Sequence, residues 1–191
     1  LDNADTTVPA IVECVDAGYT DRDLDTCMPE FIRDFGQLAY RRPLSGSEEM
    51  ILQHVYDTVR AEQSASAAWA SVMQVFLQAP ALLYRTELSS TETDPEADLT
   101  PLSDWEMANR LSFFFLNSMP DAELRAAAEA GELNTPEQIE AQARRLASSA
   151  DVLDSLTAFH RDWAKLFQLD EAIRSDDAFT EEVRAAMQQE T

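Results

Sequence analysis

The chain has 191 residues, 36 of them Asp or Glu against 14 Lys or Arg, for a formal charge of −22. Hydrophobic residues make up 45% with only 4 Gly and 8 Pro, too apolar for a disordered chain and sufficient for one large helical domain or two smaller ones. So acidic a surface repels phosphate backbones and anionic lipid, which disfavours nucleic acid and membrane surfaces as partners, and the most apolar stretch, 67–84, is interrupted by Ser71, Gln74, Gln78 and Pro80 and is no membrane span.

Residues 1–22 read as an N-terminal arm. With no initiator Met and no basic-then-apolar leader, the chain is expected to be a processed or excised segment. Asp21-x-Asp23-x-Asp25 copies the opening of a calcium loop, but Thr26 stands where the loop needs Gly and Ile32 where it needs Glu. These acids fit a helix N-terminus better, where the dipole favours them.

A first helical domain is expected over 23–88. Phe31, Ile32, Phe35, Leu38 and Ala39 share one helical face, and Tyr40-Arg41-Arg42-Pro43 closes that helix. A basic pair there complements the dipole and covers terminal carbonyls, and the proline stops the helix. The functional alternative makes Arg41 and Arg42 a clamp for an anion or a partner's carboxylate. Ser45 and Glu48 have capping-box spacing, and Ile51, Leu52, Val55, Tyr56 and Val59 form the next apolar face. A third helix is expected over 66–78, with Trp69, Val72, Met73 and Phe76 inward. Tyr84-Arg85-x-Glu87 raises the same choice as the earlier basic pair: an internal ion-pair hub or a binding arginine.

The segment 86–100 is polar and acidic without an apolar face, so an acidic linker is placed at 89–100 and a second helical domain at 101–191. Ser103 with Glu106 and Thr135 with Gln138 fit capping boxes, and Pro136 falls at a first helical position. Residues 104–117 are apolar nearly all round, as suits a central helix covered by neighbours, and further helices are expected at 121–130, 136–148, 151–168 and 181–190. No hairpin signal occurs. The fold class is all-α: a multi-helix bundle of about seven helices in two packed halves.

Few residues offer chemistry. Glu106 and Arg110 stand at i,i+4 on the apolar helix, with Asp104 and Asn109 nearby. They read as a buried ion pair or as an acid/base with an anion-holding arginine. His160 shares a face with Val152, Leu156, Phe159, Trp163 and Phe167, so it is a core imidazole, a general base beside Glu106, or a ligand to something outside the chain; His54 points to solvent. No metal site is expected, because neither Glu-x-x-His nor His-x-x-x-His occurs. Phosphate loops, nucleophile elbows and C-x-x-C-H haem-attachment motifs are also missing.

Four strings carry a resemblance: FIRDFGQLAYRRPLSGSEE (31–49), FLQAPALLYRTEL (76–88), LSDWEMANRLSFFFLNSMPDAELRAAAEAGEL (102–133) and AFHRDWAKL (158–166). Together they resemble the tandem domains of unknown function of planctomycete-type, cytochrome-c-associated exported proteins, also found in myxobacteria. The resemblance spans 24–191 and implies export, a multidomain parent and a haem on a neighbouring domain, with no cofactor in this chain; the second domain is expected to be truncated. Export makes a Cys14–Cys27 disulfide the expectation, against two unpaired, semi-buried thiols. The resemblance brings no catalytic residues. The reading that follows is a non-catalytic helical scaffold or interaction module, whose partners are other domains of the same polypeptide or an exported complex. The alternatives are a hydrolase or lyase on exported polymers using Glu106 and His160, with Arg110, and a partner in extracytoplasmic electron transfer.

Overall fold

The computed structural model describes Cys14 and residues 19–87, 101–165 and 180–189. Among these residues there are nine helices and no strand: α1 (Asp21–Tyr40), α2 (Gly46–Arg60), α3 (Ala65–Gln78), α4 (Pro80–Leu83), α5 (Asp104–Leu116), α6 (Ala122–Glu129), α7 (Pro136–Ala147), α8 (Asp151–Trp163) and α9 (Glu181–Gln189). The all-α expectation holds, and the one helix it left out is the four-residue α4, started by Pro80 at its first position. None of the described helices is long and apolar enough to cross a membrane. The chain divides into two compact units, 1–91 and 92–191.

In the first unit, α1, α2 and α3 pack on one another and α4 folds against α1 and α3. The sequence starts each of the first three with a hydroxyl cap: Thr20, Ser45 and Ser64 accept the N–H of Asp23, Glu48 and Ala67. Thr20 and Ser45 complete reciprocal capping boxes, so orphan first-turn donors are satisfied from both sides. The core gathers Leu24, Cys27, Met28, Phe31 and Ile32 from α1, Leu52 and Tyr56 from α2, and Trp69, Val72 and Phe76 from α3. Phe76 is fully buried, with edge-on contacts to Phe31, Phe35 and Tyr40. Two residues given to apolar faces lie outside instead, Leu38 at 40% and Ile51 at 59% exposure, because each sits at the margin of its stripe. Gly36 is buried in mid-helix because Leu44, coming back after the turn, lies where a side chain at 36 would be. The disulfide expectation is met: Cys14 and Cys27 are bonded, with Cα atoms 6.0 Å apart, which ties position 14 to the buried side of α1.

In the second unit α5 is the hub, touching α6, α7 and α8. Its buried residues are Glu106, Ala108, Leu111 and Ser112, all but the leucine small or polar, and its core partners are Leu124, Ala127 and Ala128 of α6, Leu133, and Leu146 of α7. The expectation of a helix covered all round is corrected here. Phe114 is 78% exposed, since only one face of α5 meets its neighbours. Asp121 caps α6, Thr135 and Gln138 form the capping box of α7, and Gly131, with φ of +70°, supplies the left-handed residue at the end of α6. The acidic segment 88–100 lies outside the described residues, as do Phe167 and the end of the helix expected over 151–168.

Candidate functional site

The arginines after α1 meet two different fates. Arg41 ends the helix in the left-handed conformation (φ 56°) and turns its guanidinium into the protein, where it is 7% exposed. There it donates to the carbonyl oxygens of Ala81 (2.6 Å), Leu82 (3.3 Å) and Tyr84 (2.9 Å). The expectation that this pair covers carbonyls of its own helix is thus corrected: Arg41 serves the far end of α4, whose last C=O groups have no intrahelical partner. Arg42 forms a fork with Glu48, Nη1 to Oε2 at 2.9 Å and Nη2 to Oε1 at 2.8 Å. The same carboxylate accepts the Ser45 N–H and hydroxyl. Held first by Arg42 and then by Ser45, Glu48 has its pKa brought down to about 2. Arg42, proposed for an external carboxylate, is therefore occupied by an internal one.

The acids at the start of α1 are likewise engaged. Asp23 closes the Thr20 capping box. Asp25 accepts from the Tyr56 hydroxyl (2.6 Å) and from Arg60 Nε (2.8 Å), and those bonds, Arg60 first, lower its pKa. Asp21 accepts the N–H of Ala65 at 3.3 Å and lies 3.5 Å from Arg60. This three-helix network joins the first turn of α1 to the end of α2 and the start of α3. Among the described residues no three His, Cys, Asp or Glu side chains gather as metal ligands.

In the second unit Glu106 is buried (6% exposed), and its Oε2 accepts the Ser103 N–H and hydroxyl, both at 2.9 Å. It is the third residue of α5 and completes the capping box there. Arg110, one turn on, is exposed. Asp104, at the helix start, accepts the Leu133 N–H at 2.7 Å and so ties the loop before α7 to α5. His160 overturns the core-imidazole expectation. It is exposed, with Nδ1 2.7 Å from the carbonyl oxygen of Leu156 one turn back, and α8 has no buried residue at all. The apolar stripe that suggested burial is present but uncovered, with Leu153, Leu156, Phe159 and Trp163 at 65, 48, 60 and 74% exposure. His54 is exposed, as expected, and so is Arg85.

Residue spacing did not give away the Arg145 hub. Arg145 donates to both oxygens of Asp121 (2.7 and 3.0 Å) and lies 3.0 Å from Glu123. Asp121 in turn caps Leu124 N–H, and the Arg145 bond, ahead of other causes, holds its pKa below the usual carboxylate range. The readable signal was the Asp121-x-x-Leu124 cap; the partner lies 24 residues away.

Set beside known families, residues 27–87 match PSD5, a protein of unknown function (DUF1595), and residues 102–191 match PSD4, a protein of unknown function (DUF1592). The two matches follow one another along the chain. The matched segments take in the Arg41–α4 clamp and the Arg42–Glu48 fork in one domain, and the Ser103–Glu106 box and the Arg145–Asp121 pair in the other. No curated protein and no solved structure matches the chain.

Proposed function

We propose that this tandem of domains is a non-catalytic helical scaffold or interaction module of a larger exported protein. The observation that carries this reading is the engagement of Glu106, the best-placed acid of the sequence. A general acid or base must present its proton to a substrate atom, whereas Glu106 is buried and accepts two hydrogen bonds from the residue that caps its own helix. The uncovered stripe of α8 supports the interaction half of the proposal, since exposed apolar side chains in a row mark contact surfaces more often than chance. The Cys14–Cys27 bond supports export, because disulfides persist in oxidising compartments. Any haem then belongs to a neighbouring domain of the parent protein.

The test pairs two measurements on the chain within its parent protein. A panel of exported polysaccharides and esters is offered as substrate, with Glu106→Gln and His160→Gln as controls. Separately, the parent's assembly state is followed by native mass spectrometry for the wild type and for Phe159→Ser with Trp163→Ser. No turnover, together with an assembly that comes apart in the double variant while its helical circular dichroism is kept, is expected. Turnover abolished by either control substitution would replace the scaffold reading with the hydrolase or lyase one.

A further inference from the structure

α4 has little hold of its own. Its four residues are too few for a helix to sustain itself, no side chain caps it and none of its residues is buried. Leu82 lies partly against the core of the first unit, while Leu83 and Tyr84 are exposed. Arg41 supplies the grip, donating to the carbonyl oxygens of Ala81, Leu82 and Tyr84 at 2.6, 3.3 and 2.9 Å. It is a costly residue for its place. Its backbone is left-handed (φ 56°), the conformation in which helices ordinarily end on glycine, and a side chain there is strained. Its guanidinium is buried against neutral oxygens, and burial, ahead of other causes, pushes its pKa down without removing the charge. Glycine would remove both costs at once. The end of α1 therefore gives no reason for an arginine; the carbonyls of α4 do.

We propose that α4 is a strap that opens while the core stays folded, and that Arg41 is the latch that keeps it shut. What breaks is the grip of Arg41 and the single turn in which Leu82, Leu83 and Tyr84 donate to Ala79, Ala79 and Pro80. Phe76, just before that turn, is fully buried and stays with the core. An element with so few buried apolar contacts belongs to the low-stability end of a fold, where opening is local. With the strap shut the first unit is held as far as Tyr84; with it open, the unit ends with α3. Arg41 is thus a positioning residue that sets how much chain follows the core. The strap does not depend on the scaffold reading above.

Native-state hydrogen exchange on the full chain, labelled with nitrogen-15, reads the strap directly. The amides of Leu82, Leu83 and Tyr84 report the turn, and those of Ile32 and Val72, in the buried stretches of α1 and α3, serve as references. In the wild type the strap amides should exchange at least about a hundredfold faster than the references, at a rate that about 1 M urea leaves unchanged, because a local opening exposes little new surface. Arg41→Lys should speed them at least about tenfold, the size of one charge-assisted hydrogen bond, since a single ammonium cannot span the carbonyls that the guanidinium fork reaches. The references should accelerate by no more than the same factor, because the shut state is the ground state for both. Arg41→Gly, which suits the left-handed backbone, carries the same expectation and answers the question if the lysine variant does not fold. Strap amides as slow as the references, strap rates that climb with urea alongside them, or strap rates unmoved in the variants would each overturn the proposal. So would a failure of both variants to fold, which would make Arg41 part of the core instead of its latch.

Discussion

The two units spend their large side chains in opposite ways. The first buries them: Phe31, Trp69 and Phe76 meet at the centre of a three-helix core, with ring centroids of Phe31 and Trp69 3.8 Å apart. The second builds its core from Ala108, Ala127, Ala128 and four leucines, while Phe114, Phe159 and Trp163 stand 78, 60 and 74% exposed. Aromatic burial carries the larger transfer energy per residue. An alanine-rich seam instead lets helices approach closely and leaves their outer faces for other contacts. The first unit thus gathers its large rings inside, whereas the described residues of the second leave theirs exposed.

The sharpest way to break this comparison is a pair of matched truncations. Phe76→Ala removes a fully buried ring and should cost about 3–5 kcal/mol, whereas Phe114→Ala should stay within about 0.5 kcal/mol, as exposed positions do. Urea unfolding followed by fluorescence in single-tryptophan backgrounds, with Trp69 kept to report the first unit and Trp105 the second and the remaining tryptophans replaced by Phe, reads each separately. Equal losses would mean that Phe114 is covered in solution. Next in size is the disulfide. Closing a loop between positions 14 and 27 should contribute about 3 kcal/mol to the first unit by chain entropy. Reductant should therefore lower the melting temperature reported by Trp69 and leave the Trp105 transition in place; a shift of both would contradict independent units.

Much of this was legible in the residues. Capping-box spacings, hydroxyl to acid at α2 and α5 and hydroxyl to amide at α7, placed the starts of these helices correctly, because such a box is closed within four residues. Periodicity found the inward faces of α1 and α3 for a similar reason. The same rule misled at α8, where an amphipathic stripe is present but stays exposed among the described residues, so His160 became a core residue on paper only. Periodicity says that a face is apolar, not that a neighbour is available. The pairings of Arg41, Arg60 and Arg145 were out of reach, since they join residues 24 to 43 positions apart. A sequence shows which charges exist but not which ones meet.

A smaller effect separates the units by pH. Glu48, in the first unit, has its pKa lowered from 4.5 to about 2, chiefly by Arg42. A depressed carboxylate contributes stability that is fully present above its unfolded value and is lost as pH falls through the folded one. The Trp69 transition should therefore weaken between about pH 4.5 and about pH 2. Arg42 is 40% exposed and water screens the pair, so the loss expected is about 1–2 kcal/mol. Glu48→Gln should flatten that part of the curve. If the variant keeps the same acid slope, other carboxylates are responsible.

The finest discrimination is between two adjacent arginines of α7. Arg144 pairs with Glu140 one turn back at 79 and 61% exposure, a geometry in which Coulomb attraction is nearly offset by screening and side-chain entropy. Arg145, 30% exposed, reaches across to the cap of α6 and holds Asp121 with two bonds. Removing it leaves the capping carboxylate without its main counter-charge, so Arg145→Ala should cost about 1–2 kcal/mol and Arg144→Ala at most about 0.5 kcal/mol. Both should appear in the Trp105 transition. The order matters more than the sizes: with so small an apolar core, the second unit depends on such polar ties between its helices. If Arg145→Ala were as harmless as Arg144→Ala, the apolar contacts that α6 and α7 each make with α5 would be holding both helices, and the contrast between the two units would be one of residue size only.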